Sequence, residues 1–202
     1  VIVASRKAAL DIIEEANYGD RPDGDGPRIQ EGDFVRAQIT SVARDSIAVV
    51  VGGVDTRVSL HALTFEYLVD ARTKYKVGQE IMVQVEQIIK EKDGHHIVEV
   101  NCKQPELERA KQMRSALPIG SIVFGIVSSV AASKKQPGNI NVLAYIKMYD
   151  LPVLVNNMPA KFLGSEPPRG STVRLKVLNY LDNGMILCRC IGTQGPMNFP
   201  NA

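Results

Sequence analysis

Two segments of the chain occur twice. EGDFVRAQITSV (Glu31–Val42) aligns with IGSIVFGIVSSV (Ile119–Val130), and VGQEIMVQVEQIIKEKDG (Val77–Gly94) aligns with RGSTVRLKVLNYLDNG (Arg169–Gly184) across a two-residue gap. The glycine pairs Gly32/Gly120, Gly78/Gly170 and Gly94/Gly184 are offset by 88, 92 and 90 residues. Concordant offsets mark two copies of one module. Any fold assigned to the first copy must therefore be built twice within 202 residues.

Each copy reads as five short strands. Val35, Ala37 and Ile39 alternate with Arg36, Gln38 and Thr40, the period-two pattern of a half-buried strand. Further strands are expected at Ile47–Val51, Thr56–Leu60, Glu80–Ile89 and His96–Val100. The second copy gives Ile122–Val130, Ile140–Lys147, Leu151–Val155, Ser171–Tyr180 and Met185–Ile191. Asp93-Gly94 and Asn183-Gly184 are hairpin signals, because both central residues accept positive φ. In GGVDTRVSL (Gly52–Leu60) the glycines are followed by neither a helix nor a Lys-Ser/Thr pair, so the stretch reads as a turn feeding a strand rather than a phosphate loop. In that strand Val58 and Leu60 face the core, and Arg57, Ser59 and His61 face out.

Five strands in about 70 residues suit a partly open Greek-key barrel, the OB-fold. The expected fold class is mainly β: two tandem five-stranded OB-fold barrels with an N-terminal helix and a connecting helix. The expected division is an N-terminal helix and linker over 1–30, a first barrel over 31–103, a connecting helix over 104–117, a second barrel over 118–192 and a tail over 193–202. Ser5–Ala16 reads as an amphipathic helix and Asn17–Arg28 as a Gly/Pro/Asp-rich linker. Pro105 near the start of PELERAKQMRSAL favours a helix there.

Residues 1–103 hold 13 Lys+Arg against 17 Asp+Glu, and residues 104–202 hold 11 against 5, so a net −4 stands beside a net +6. A basic half favours polyanionic partners. No segment approaches the run of about 18 apolar residues that a membrane helix needs, and no membrane partner is expected. Three cysteines, an odd number, argue against a disulfide framework and for a reducing, cytoplasmic compartment. Cys188 and Cys190 share one strand face and read as small core residues. His95 and His96 are adjacent in a strand and point to opposite faces, so no metal is expected there. The carboxylates form no paired arrangement for acid–base work, and no cofactor or catalytic activity is expected. A start at Val1 rather than Met reads as a piece of a longer chain.

The stretches EGDFVRAQITSV, GGVDTRVSLHAL, ARTKYKVGQEIMVQVEQI and KEKDG resemble the RNA-binding repeats of the ribosomal protein S1 type, over residues 31–103 and more loosely over 118–192. The lead-in ASRKAALD resembles that of bacterial relatives, which implies further repeats in the parent chain. The resemblance implies OB-fold barrels whose outer sheet binds single-stranded RNA without catalysis. That surface usually carries two aromatics around a Gly-Ala pair in the second strand and a His in the third. Here Asp45 and Ala48 take the aromatic positions of the first repeat and Ser59 the His position, with His61 two residues on. The second repeat keeps Ala144-Tyr145-Ile146, but Val142 and Val155 stand where the other aromatic and the His are usual.

Single-strand binders combine a basic groove with aromatic platforms. Tyr145 is expected on the outer sheet, as a stacking platform or as a tyrosine covering the barrel's edge. Phe124 takes the place of Arg36 in the repeat alignment, so it is either an exposed contact or tucked beneath the connecting helix. Lys134 and Lys135, in the loop after the first strand of the second repeat, and Lys147 are expected to extend one basic edge. Arg36, Arg57 and His61 would form the matching edge of the first repeat. The expected function is binding of single-stranded RNA by a bacterial RNA- or translation-associated protein, with the ribosome or another protein as a further partner. The alternative is a protein-binding adaptor made of degenerate OB repeats.

Overall fold

The computed structural model describes residues 5–21, 24–159 and 167–194. Contacts divide the chain into two units, Val1–Leu63 with Leu68–Pro105 and Thr64–Tyr67 with Glu106–Ala202. No helix among the described residues is long and apolar enough to cross a membrane. The tail expected from residue 193 lies, after Gln194, outside the described residues.

Unit 1 opens with α1 (Arg6–Tyr18) and continues with β1 (Phe34–Val42), β2 (Ser46–Val51), β3 (Val54–Ser59), the short helix α2 (Leu60–Leu63), β4 (Glu80–Lys90) and β5 (His96–Asn101). The strands form one sheet in the order β3-β2-β1-β4-β5. Its two ends meet through a side chain: Thr56 Oγ1 on β3 donates to the Val98 carbonyl on β5 at 2.7 Å. Alternation sends Ala37, Ile39, Val49, Val51, Val83 and Val85 inward, all at most 1% exposed. Val58 lies in the core and Leu60 packs against it, as expected, but the strand stops at Ser59. Leu60 and His61 belong to α2, so His61 does not share a strand face with Arg57.

Helix α1 runs two residues beyond its expected end, into the segment read as linker. Tyr18 Oη donates to the Val51 carbonyl at 2.9 Å, and Asn17 Nδ2 to the Gly52 carbonyl at 3.2 Å. Glu14 and Tyr18 are the buried residues of this helix, while Ile12 is 71% exposed. The contact needs a glycine beneath it. A Cβ at Gly53 (φ +103°) would lie 2.4 Å from the Glu14 amide nitrogen.

Unit 2 contains α3 (Gln104–Gln112, from Glu106 onward), β6 (Ile122–Ala132), β7 (Asn139–Ile146), β8 (Leu151–Pro159), β9 (Thr172–Tyr180) and β10 (Ile186–Gln194). These strands close into a barrel, β10-β8-β7-β6-β9, through parallel pairing of β10 with β8. Val127, Val142, Ala144, Val153, Leu175 and Ile186 fill it. Cys188 and Cys190 lie in the same core, and burial pushes the Cys188 thiol up to about 12. Architecture and class agree with the sequence expectation: mainly β, two five-stranded barrel-like sheets, a helix at the start and one between.

Candidate nucleic-acid interface

In unit 1, β2–β3 pairing sets exposed Arg57 opposite Ala48, and Ala48 pairs with Ser41 on β1. Its Nε and Nη2 donate to Ser46 Oγ at 3.2 and 3.1 Å. Arg36 stands five residues back along β1, roughly 16 Å at the rise of a strand, opposite Met82 on β4. It forms an exposed ion pair with Glu80 at 3.5 Å. Arg36 and Arg57 are therefore apart, and His61 stands on α2 rather than on their sheet. Beside Arg57, β3 and β5 border a groove of about 500 Å³ whose charged lining also includes Asp55, Glu86 and Glu99. Three carboxylates against one guanidinium disfavour a polyanion there.

Glu14 sets the electrostatics of the other end of this unit. Its Oε1 accepts from the His96 amide at 2.6 Å and lies 2.9 Å from His96 Nδ1, while Oε2 lies 3.4 Å from His95 Nδ1. Both rings reach one carboxylate because β5 begins at His96 and leaves His95 in the preceding turn, contrary to the strand-based expectation. Burial alone would raise the Glu14 carboxyl, but the bonds from His96 and His95 outweigh it and hold it below its ordinary value. Asp11, Glu14 and His95 bring one ligand-type atom each within 4.8 Å, with both Glu14 oxygens already accepting.

In unit 2 the stacking alternative for Tyr145 fails, because Tyr145 is 0% exposed. Alternation does direct it away from the core that Ala144 and Ile146 join, but that side of β7 is covered. Tyr145 Oη donates to Asp150 Oδ1 at 2.7 Å and approaches Glu106 Oε1 at 3.5 Å. Glu106, itself 6% exposed, accepts from Thr64 Oγ1 and from the Phe65 amide. Burial foremost, then the Glu106 and Asp150 charges, raise the Tyr145 hydroxyl well above its usual range, so it remains a donor. This ring covers the barrel and offers no stacking surface.

Lys134, Lys135 and Lys147 are all exposed, but not along one edge. The two loop lysines precede β7 and Lys147 follows it, so eight strand residues separate them, about 25 Å. Ser133 Oγ shapes the loop by accepting from the Lys135 and Gln136 amides. Phe124 is 50% exposed and so not tucked away. It pairs across the ladder with Arg174 on β9, and Ile122 with Lys176. Lys176 in turn pairs with Arg189 on β10. Arg174, Lys176 and Arg189 are exposed and were missed in the sequence. Alternation within TVRLKVLNY marks the first two as outward, but only the register brings them beside Phe124.

Residues 28–96 match the S1 RNA binding domain. That span takes in β1 to β4 and reaches the first residue of β5. No curated protein matches the chain. Among solved structures, an a/eIF2alpha–aDim2p–rRNA complex from Pyrococcus horikoshii is similar at 17% identity over 44% of this chain and 59% of that one, with a TM-score of 0.33. A multidomain protein with nucleic acid binding domains from Streptococcus pneumoniae is 14% identical over 78% of this chain and 50% of that one, with a TM-score of 0.29. A murine DNA binding protein bound to double-stranded DNA is 14% identical over 78% and 93%, with a TM-score of 0.24. This chain thus spans 59% and 50% of the first two.

Proposed function

We propose that this chain is a non-catalytic, single-stranded-RNA-binding part of a bacterial RNA- or translation-associated protein acting in the cytoplasm. The observation that carries the reading is the S1 RNA binding domain match over residues 28–96, on a sheet with the strand order of a partly open OB barrel. The net +6 of residues 104–202 supports a larger share of phosphate contacts in unit 2, from Lys134, Lys135, Lys147 and the cations near Phe124. Arg36, Arg57 and His61 would contribute less in the acidic unit 1. Ribosomal or other protein partners and further repeats of the parent chain belong to the same reading. Anisotropy of a labelled, unstructured oligonucleotide, titrated with the chain at two salt concentrations, tests it. Binding that weakens steeply with salt is expected, because phosphate neutralisation releases counterions. Flat curves at low salt would reject it.

A second reading, a protein-binding adaptor, is favoured by one observation. The family's outer-face aromatic positions hold Asp45 and Ala48 in unit 1, and Tyr145 is buried in unit 2. Under this reading the same titration stays flat, and exposed Phe124 anchors a protein.

A further inference from the structure

We propose that the outer face of β6, β9 and β10 is the surface on which unit 2 takes single-stranded RNA, with Arg174, Lys176 and Arg189 meeting phosphates and Phe124 stacking on a base. The proposal rests on the RNA-binding reading above and assigns it a place.

The ladder fixes the geometry. Phe124, Arg174 and Gly192 form one cross-strand row, and Ile122, Lys176 and Arg189 form the next. Neighbouring rows on one face are about 7 Å apart along a strand and neighbouring strands about 4.8 Å apart, so three cations crowd around one exposed aromatic ring. Gly192 leaves open space opposite Arg174, since a Cβ there would meet nothing within 4 Å.

Structure alone does not account for these cations. Like charges directly opposite each other destabilise a ladder, yet Lys176 and Arg189 are partners. None of the three has an ion pair or side-chain hydrogen bond among the described residues. The described carboxylates of unit 2 are engaged or distant. Glu66 and Glu106 lie near buried Tyr145, Asp150 pairs with Arg109, Glu108 pairs with Lys111, and Asp182 sits in the turn beyond β9. An extended polyanion supplies the missing negative charge, and a half-exposed phenyl ring beside it suits a base, which every RNA sequence provides.

Unit 1 serves as an internal comparison. The repeat alignment equates Phe34 with Ile122, Arg36 with Phe124, Glu80 with Thr172, Met82 with Arg174 and Gln84 with Lys176. Gln84 pairs with Asn101 as Lys176 pairs with Arg189. The only cation among these unit 1 residues, Arg36, is matched by Glu80. The same face is thus neutral in one unit and carries three cations in the other.

The test uses the full chain and a labelled oligouridylate of about twelve nucleotides, within the site sizes of single OB-folds. Combined Arg174→Gln, Lys176→Gln and Arg189→Gln should weaken binding at least tenfold at low salt. The log–log salt slope should become shallower by about 2, at roughly 0.7 for each phosphate no longer neutralised. Phe124→Ala should weaken binding several-fold with the slope unchanged, while Lys134→Gln with Lys135→Gln should have the smaller effect. In the unmodified chain, RNA should shift the backbone amide resonances of Phe124, Arg174, Lys176 and Arg189 more than those of the loop lysines, a readout independent of variant folding. Unchanged affinity in the folded triple variant, beside normal wild-type binding, overturns this site and leaves the RNA reading intact. A flat wild-type curve removes both. Poly-glutamate competing as well as RNA, with no effect of Phe124→Ala, overturns the proposal in favour of an acidic protein partner.

Discussion

The Tyr145 hydroxyl donates to Asp150 Oδ1 at 2.7 Å from a ring with no exposed surface, while the Asp150 side chain is half exposed. Tyr145→Phe keeps the ring and removes the donor. It should lower the stability of unit 2 by about 1–2 kcal/mol, the net worth of a hydrogen bond to a carboxylate, seen as a shifted urea midpoint. RNA affinity should not change, and a parallel loss of affinity would return Tyr145 to the binding surface. Glu14 makes a different residue-scale prediction. Its folded carboxyl is held below the ordinary value of 4.5, so the stabilisation it supplies is complete above that value and is lost as pH falls through the lower folded one. Protection factors of the α1 amides, measured against the intrinsic rate at each pH, should therefore fall on acidification through that window. Glu14→Gln should exchange faster at neutral pH and lose the acid step.

Two hairpin turns that look alike in sequence differ in what surrounds them. Gly94 and Gly184 both close the fourth and fifth strands of their sheets, with φ near +94° and +93°. A Cβ on Gly94 meets open space, whereas one on Gly184 would come 2.3 Å from the Leu107 carbonyl oxygen of α3. Gly94→Ala should cost about 1–2 kcal/mol from left-handed backbone alone. Gly184→Ala should cost clearly more, because the helix backbone must also move. Equal shifts in the two denaturation midpoints would show that the α3 contact is unimportant. The turns themselves were legible from Asp-Gly and Asn-Gly, and the strands from alternation, because both are local signals. The cover on Tyr145 was not legible. Its partner Glu106 lies about 40 residues away, and the Thr64 and Phe65 groups that hold Glu106 about 80, and no local pattern records such a long-range meeting. Arg174, Lys176 and Arg189 were half legible. Their outward direction follows from period two, but their meeting with Phe124 depends on the order in which β6, β9 and β10 pair.

For the molecule as a whole, the division into two units predicts how it can be taken apart. A fragment of residues 106–202 retains every strand of the closed barrel and should give a β-type circular dichroism spectrum. It lacks Thr64 and Phe65, the partners of buried Glu106, and should unfold at lower denaturant than unit 2 does in the full chain. Restoring Thr64–Tyr67 as a separate peptide at high concentration should recover part of the difference. A fragment as stable as the full-chain unit would make those bonds incidental.

The placement of Thr64–Tyr67 with unit 2, while Leu68–Pro105 returns to unit 1, bears on inheritance as well as stability. Modules that end at a single peptide bond are exchanged between genes by one crossover. Here one crossover near residue 105 would deliver a second barrel whose Glu106 carboxylate lacks its Thr64 and Phe65 donors. It would also leave the first barrel carrying a four-residue strap with nothing to bind. Lineages that exchange these units should therefore do so as a pair, or should carry compensating changes at positions 64, 65 and 106 together.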